Sequence, residues 1–228
     1  AFSAPGRILF VGNSYTGQIR SMVSKLFAAS PHKSVELEFI TPGGKTLEFH
    51  SNSPGTLAAI RRGDWDFVVL QDQSQTPAVL PQKFFAASGK LHKIIDGAGA
   101  ETAYYQTWGR RDGDKANPGR FPDYTKMQDA LSKSYAEAAK RDGAVLVRVG
   151  EAWRRVRRDD PDFGRRLYKG DGSHPSARGA YLAACCFYTA LMDADPREVS
   201  FEGGLPESEA RTLREIAWSV AREAPVTE

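Results

Sequence analysis

A serine, a histidine and an aspartate stand where strand ends of one chain could gather them. Ser14 follows Gly12-Asn13 directly after the apolar run Arg7-Ile8-Leu9-Phe10-Val11. Asp171 and His174 lie three apart in Asp171-Gly172-Ser173-His174-Pro175, so one turn can hold the carboxylate against the imidazole. A carboxylate so placed fixes the imidazole tautomer, and the imidazole takes the serine proton as the hydroxyl attacks an acyl carbon. Two further groups are candidate donors to the resulting oxyanion. They are the Gly44 amide in Pro42-Gly43-Gly44-Lys45-Thr46 and the side-chain amide of Gln73 in Gln71-Asp72-Gln73-Ser74. Taken singly, each piece has a structural reading: a helix N-cap at Ser14, a local Asx turn at Asp171, a plain turn at Gly43-Gly44. Their joint occurrence after successive strands points to acyl-transfer chemistry.

Positioning these groups falls to an alternation of strands and helices. Apolar runs predict strands near 7–12, 35–40, 66–70, 102–107 and 144–149, and helical spacing predicts helices near 15–29, 54–62, 81–95, 123–141, 177–192 and 205–222. That order predicts βαβ units, a parallel sheet covered on both faces, and one domain over 1–228. Ligands of such sheets bind outside the carboxyl ends of the strands, where all the groups above fall. The segment 109–122, rich in Gly, Asp, Asn and Pro, is too long for a tight connection and reads as functional. Asn13, Trp108 and Arg110 are the expected substrate contacts. Trp108 fits either a stacking wall for a sugar or a buried anchor for the long loop.

Three blocks in this order, Gly12-Asn13-Ser14, Gly44-x-Thr46 and Asp171-x-x-His174, resemble the SGNH (GDSL-like) hydrolase superfamily over residues 7 to about 192. The resemblance implies a three-layer α/β/α sandwich with a central five-stranded, flavodoxin-like parallel sheet. It implies ester hydrolysis through an acyl-enzyme, with Ser14 as nucleophile, His174 as base, Asp171 as its orienter, and the Ser14 and Gly44 amides in the oxyanion hole. The third block departs from the pattern. The superfamily carries Gly-x-Asn-Asp, and here Gln73 falls where that Asn would be. Leu70-Gln71-x-Gln73-Ser74, with the Gly-Asn-Ser-Tyr-Thr start, is similar to a bacterial branch of the superfamily. The expectation is a serine esterase for short acyl esters, acetyl first, on a small-molecule or saccharide alcohol. The alternative is a catalytically degenerate carbohydrate-binding or interaction module of the same fold, and acyl transfer to an alcohol acceptor uses the same residues.

Composition narrows the field further. The 228 residues are 41% hydrophobic and 26% charged, with a net charge of +3, which is a globular profile and not that of a nucleic-acid binder. The longest uncharged, largely apolar run, 179–192, is shorter than the roughly 20 residues of a membrane span. The four histidines show no paired spacing, so no metal or cofactor is expected, and Cys185-Cys186 read as core fillers. Gly43-Gly44-Lys45-Thr46 ends like a P-loop, but Phe39 occupies the position of its first glycine. The Gly-x-Ser-x-Gly elbow of other hydrolases is absent. No basic segment precedes an apolar run at the start, so no signal peptide is expected; a start at Ala1-Phe2-Ser3-Ala4-Pro5 fits a cleaved mature end and an arbitrary boundary equally, and a periplasmic or secreted location is slightly favoured over a cytoplasmic one. The oligomeric state is left open. The basic stretch 148–169 reads as a solvated helix face balanced by Asp159, Asp160 and Asp162, or as a patch that draws acidic polysaccharide to the loop at 171–174.

Overall fold

Successive side chains of a strand point to opposite faces, so a run apolar throughout can build two cores at once. A computed structural model, which describes residues 3–223, shows this in one all-parallel sheet. Its strands are β1 (Arg7–Val11), β2 (Glu36–Ile40), β3 (Phe67–Leu70), β4 (Glu101–Tyr105) and β5 (Val145–Val147), in the order β2-β1-β3-β4-β5. Ile8, Phe10, Val69, Tyr105 and Val147 enter one core, and Leu9, Val11, Val68, Leu70 and Tyr104 the other.

Among the described residues the helices are α1 (Ser14–Gly17), α2 (Arg20–Ala28), α3 (Leu47–Ser51), α4 (Pro54–Arg61), α5 (Thr76–Val79), α6 (Pro81–Gly97), α7 (Tyr124–Asp142), α8 (Val149–Asp159), α9 (Pro161–Arg165), α10 (Ala177–Met192) and α11 (Glu207–Arg222). Helices α2, α8, α10 and α11 close the first core, and α4, α6 and α7 close the second, giving three α/β/α layers. The long helices carry their own punctuation. Asp123 accepts from the Lys126 N–H and starts α7; Gly143, in the left-handed conformation, ends it. Ser176 caps α10, which is buried almost throughout; burial pushes the Cys185 thiol up to about 12 and keeps it an inert filler.

Differences from the sequence expectation sit at boundaries, in short elements and at α8, whose 11 residues read in sequence only as part of a basic stretch. The strand expected to run to residue 149 ends at Val147, because Val149 already begins α8. Helices α3, α5 and α9 span four or five residues, too few to show a helical period. The basic stretch is less solvated than expected. Arg154 pairs with Asp129 and Glu151, Arg155 with Glu223 and Arg166 with Glu209, while Asp160 caps α9. Arg165 reaches Asp112 in the long loop. Residues 1 and 2 of the Ala1–Pro5 start lie outside the described residues. No described helix is long and apolar enough to cross a membrane.

Candidate active site

From β1 the chain passes through Gly12 and Asn13 into the single turn of α1, which begins at Ser14. Ser14 Oγ lies 2.9 Å from His174 Nε2, and His174 Nδ1 lies 2.6 Å from Asp171 Oδ2. The other carboxylate oxygen of Asp171 accepts from the amides of Ser173 (2.9 Å) and His174 (3.0 Å), so the aspartate is fixed by its own turn. That turn is docked by Arg111 N–H to Gly172 O and Lys169 N–H to His174 O, both 2.8 Å. The structure thus joins Ser14, His174 and Asp171 in one hydrogen-bonded chain across 160 residues of sequence. Gly44, at φ +70°, adopts a conformation that glycine takes at little cost. Among the described residues, neither the Ser14 nor the Gly44 amide N–H donates to a protein acceptor.

Three buried polar side chains lace the strand-end loops together. Gln71, just after β3, accepts from Asn13 N–H (3.1 Å) and Thr16 Oγ1 (2.8 Å). Asn13 caps α1 through Tyr15 N–H and donates Nδ2 to Lys45 O (3.2 Å), tying the first loop to the second. Asp72 Oδ1 accepts from Leu47 N–H (3.0 Å) and Gln73 N–H (2.7 Å), tying the third to the second. Gly12 sits inside this lacing: a Cβ there would stand 2.4 Å from Thr16 Oγ1 and 2.5 Å from Gln71 Oε1. Below it, His50 donates Nε2–H to Gly12 O and meets Thr56 Oγ1 at Nδ1, each at 2.8 Å. Burial lowers the His50 pKa, against the pull of the Gly12 carbonyl, which suits a neutral brace.

No protein-family model matches the sequence, and no curated protein matches it. Solved structures do. A protein classed as an SGNH hydrolase from Slackia heliotrinireducens is 31% identical, with a TM-score of 0.71, over 83% of this chain and 100% of that one. The chain belongs to the SGNH hydrolases. Two more distant structures share the fold. A DUF4886 family protein from Bacteroides uniformis is 18% identical with a TM-score of 0.80, over 94% of this chain and 93% of that one. An acetyl xylan esterase from Geobacillus stearothermophilus is 14% identical with a TM-score of 0.58, over 83% and 96%.

In this SGNH hydrolase the remaining expected contacts take other places. Trp108 is fully buried and is not a stacking wall. Its ring lies between Tyr15 (4.8 Å) and Trp153 (3.8 Å), and its Nε1–H donates to Ser173 O (2.9 Å), which anchors the Asp171–His174 turn from below. Asn13 is 3% exposed and engaged on both sides, so its side chain is spent on positioning the loops. Gln73 directs its amide into its own loop: Oε1 accepts from the Gln75 and Thr76 amides, and Nε2 donates to Ser74 Oγ and Gln75 Oε1. No hydrogen bond joins it to Ser14 or Gly44, because the start of α5 takes the capping group that the sequence reading aimed at an oxyanion. Arg110 keeps a place at the site. It donates to Ser74 Oγ (2.9 Å) and, with His174 and Asp171, lines a hollow of about 290 Å³. Part burial raises the Asp171 pKa, but hydrogen bonds from His174 and the two amides outweigh it and hold the carboxyl below its usual range. Sequence reasoning missed Gln71, Asp72, His50 and Tyr15. The available signal for Tyr15, Gln71 and Asp72 was their position within four residues of an apolar strand end; His50, inside α3, had none.

Proposed function

We propose that this SGNH hydrolase is a serine esterase that removes short acyl groups, acetyl first, from a sugar-like alcohol. The observation that carries the reading is the Ser14–His174–Asp171 hydrogen-bond chain, at 2.9 and 2.6 Å. With Nδ1–H given to Asp171, the neutral imidazole presents Nε2 as acceptor to the Ser14 hydroxyl. As Ser14 Oγ bonds to the acyl carbon, His174 takes its proton, and the carbonyl oxygen becomes an oxyanion within reach of the free Ser14 and Gly44 amides. Collapse breaks the bond to the alcohol, which leaves with the proton from His174 Nε2. Water then repeats the cycle on the acyl-Ser14, with His174 again as base.

A polar alcohol is supported by the lining beside His174, which is charged and glycine-rich: Arg110, Asp112, Gly113, Lys115, Gly172; an acetyl group is supported by the acetyl xylan esterase that shares the fold. A fatty-acyl site would gain up to about 0.8 kcal/mol for each buried methylene and would favour long esters steeply. The test is a p-nitrophenyl ester series from acetyl to octanoyl, with Ser14→Ala as control. Acetyl is expected to turn over best, with kcat/KM falling toward octanoyl; a preference for octanoyl would remove the sugar-ester reading and leave the esterase. Turnover unaffected by Ser14→Ala would remove the assignment of the nucleophile.

A further inference from the structure

Which half of the ester meets the hollow beside His174 follows from the chemistry, if the esterase reading on which this inference rests holds. The departing alcohol must lie against the imidazole that returns its proton. The hollow touches His174 and is walled on its far side by Arg110, Asp112, Gly113 and Lys115 of the 109–122 loop. Its two carboxylates already have partners. Asp171 is bound by His174 and two amides, and Asp112 by Arg111 (2.9 Å) and Arg165 (3.4 Å), with Arg111 first among the groups that hold its carboxyl low.

Its two cations are not matched in the same way. The counterion of Arg110 is Asp114, 3.4 Å away and completely buried, and Asp114 already accepts from Gln75, Asn117 and the Ala116 amide. Arg110 Nε is buried and has no hydrogen-bond partner among the described residues, so only its terminal nitrogens can face the hollow. Lys115, on the exposed rim, forms no ion pair among the described residues. A neutral sugar in this hollow leaves the Lys115 charge unpaired and the Arg110 charge matched only by an aspartate that three other groups already share. We propose that the alcohol half of the substrate carries a carboxylate, as a uronate sugar does, and that Arg110 and Lys115 receive it. Arg110 offers a planar fork held in place by Ser74, and Lys115 a mobile point charge.

Methyl glucuronide and methyl glucoside, each acetylated at the same hydroxyl, differ at one carboxylate and form the test pair. Two part-exposed ion pairs, each worth up to about fivefold, should together favour the uronide ester roughly tenfold in kcat/KM at low salt. The advantage should shrink toward parity near 1 M salt, where the screening length is about 3 Å. In an Arg110→Gln, Lys115→Gln double variant the ratio between the two esters should approach one. Equal kcat/KM for both esters in the native protein at low salt overturns the subsite and leaves the esterase standing. If neither ester nor p-nitrophenyl acetate is turned over, the esterase reading fails, and the subsite is decided by NMR titration of Ser14→Ala with the two methyl glycosides. Shifts at the Lys115 and Gly172 amides caused by the uronide alone support it; no selective shift overturns it.

Discussion

Asp171, in the turn before α10, and Asp72, just after β3, are carboxylates that their surroundings push in opposite directions. Asp171 is held below the usual carboxylate range, so it stays ionised at neutral pH. Asp171 is therefore expected to add no protonation of its own to kcat/KM above pH 5; a slope of two there would place Asp171 in the titration. Asp171→Asn keeps the geometry but loses the tautomer control, and should lower kcat by up to about 10⁴-fold, less than Ser14→Ala at about 10⁶-fold. Asp72 is pushed up to about 6, first by burial and against the Leu47 and Gln73 amides, with Oδ2 buried and unpartnered. A folded pKa above the unfolded one means that its contribution to stability is full below the ordinary value and is lost as pH rises through about 6. Two pH units correspond to about 3 kcal/mol. Asp72→Asn, which keeps the acceptor for both amides, should therefore raise Tm relative to the native protein by several degrees at pH 8 and by little at pH 4. Thermal melts at the two pH values check this, and a larger gain at pH 4 would refute it. Ser14, Asp171 and His174 were legible because nucleophilic chemistry restricts residue type and spacing. Asp72 and Gln71 were not, because a polar residue after a strand reads the same whether it meets water or laces two loops. Trp108 depended on burial, which its identity does not reveal.

Among the elements, the end of β1 carries the tightest constraint. In Gly12→Ala the new Cβ must displace Thr16 or Gln71, both of which hold α1 against the β3 loop. A shift of about 1 Å at Ser14 would cost on the order of 10²-fold in kcat. Parallel kcat and Tm measurements should show both falling; an unchanged kcat would mean that Ser14 is positioned from elsewhere. The α5 start makes a contrasting prediction. Because Gln73 caps that helix, Gln73→Ala should lower kcat less than tenfold, whereas removing a true oxyanion donor costs about 10²–10³-fold. All five strands could be read as apolar runs, and α2, α4, α6, α7, α10 and α11 from their helical spacing; α8, with 11 residues, stood only as part of a basic stretch. Helix α3, which follows the Gly44 loop, and α5, which redirects Gln73, could not, since neither exceeds five residues.

Across the whole molecule, the order β2-β1-β3-β4-β5 sets the crevice. The chain leaves β1 toward β2 on one side and returns to β3 on the other, so the loops after β1, β2 and β3 diverge at one point. Ser14 and Gly44 come from two of them, and the Asp171–His174 turn arrives from beyond β5. Alternation of strands and helices was enough to predict a parallel sheet, while the strand order rested on resemblance, because local pattern says nothing about which neighbour a strand chooses. The turn depends on the core beneath it through Trp108 and Trp153, both fully buried. Trp153→Ala should cost about 3–5 kcal/mol in denaturant unfolding. It should also weaken activity at temperatures where the variant remains folded, because Trp108 loses the surface against which it holds Ser173.

That same ring pair gives the protein an optical signature. Two of its four tryptophans, Trp108 and Trp153, lie face to face at 3.8 Å and 9°, close enough for their excited states to couple. The other two, Trp65 and Trp218, are covered by arginine guanidinium groups instead. The near-ultraviolet circular dichroism of the chain should therefore be dominated by a single coupled indole pair seated directly under the His174 turn. A change in that band on acylation of Ser14, or its early loss in mild denaturant, would follow the Asp171–His174 turn in solution without any added label.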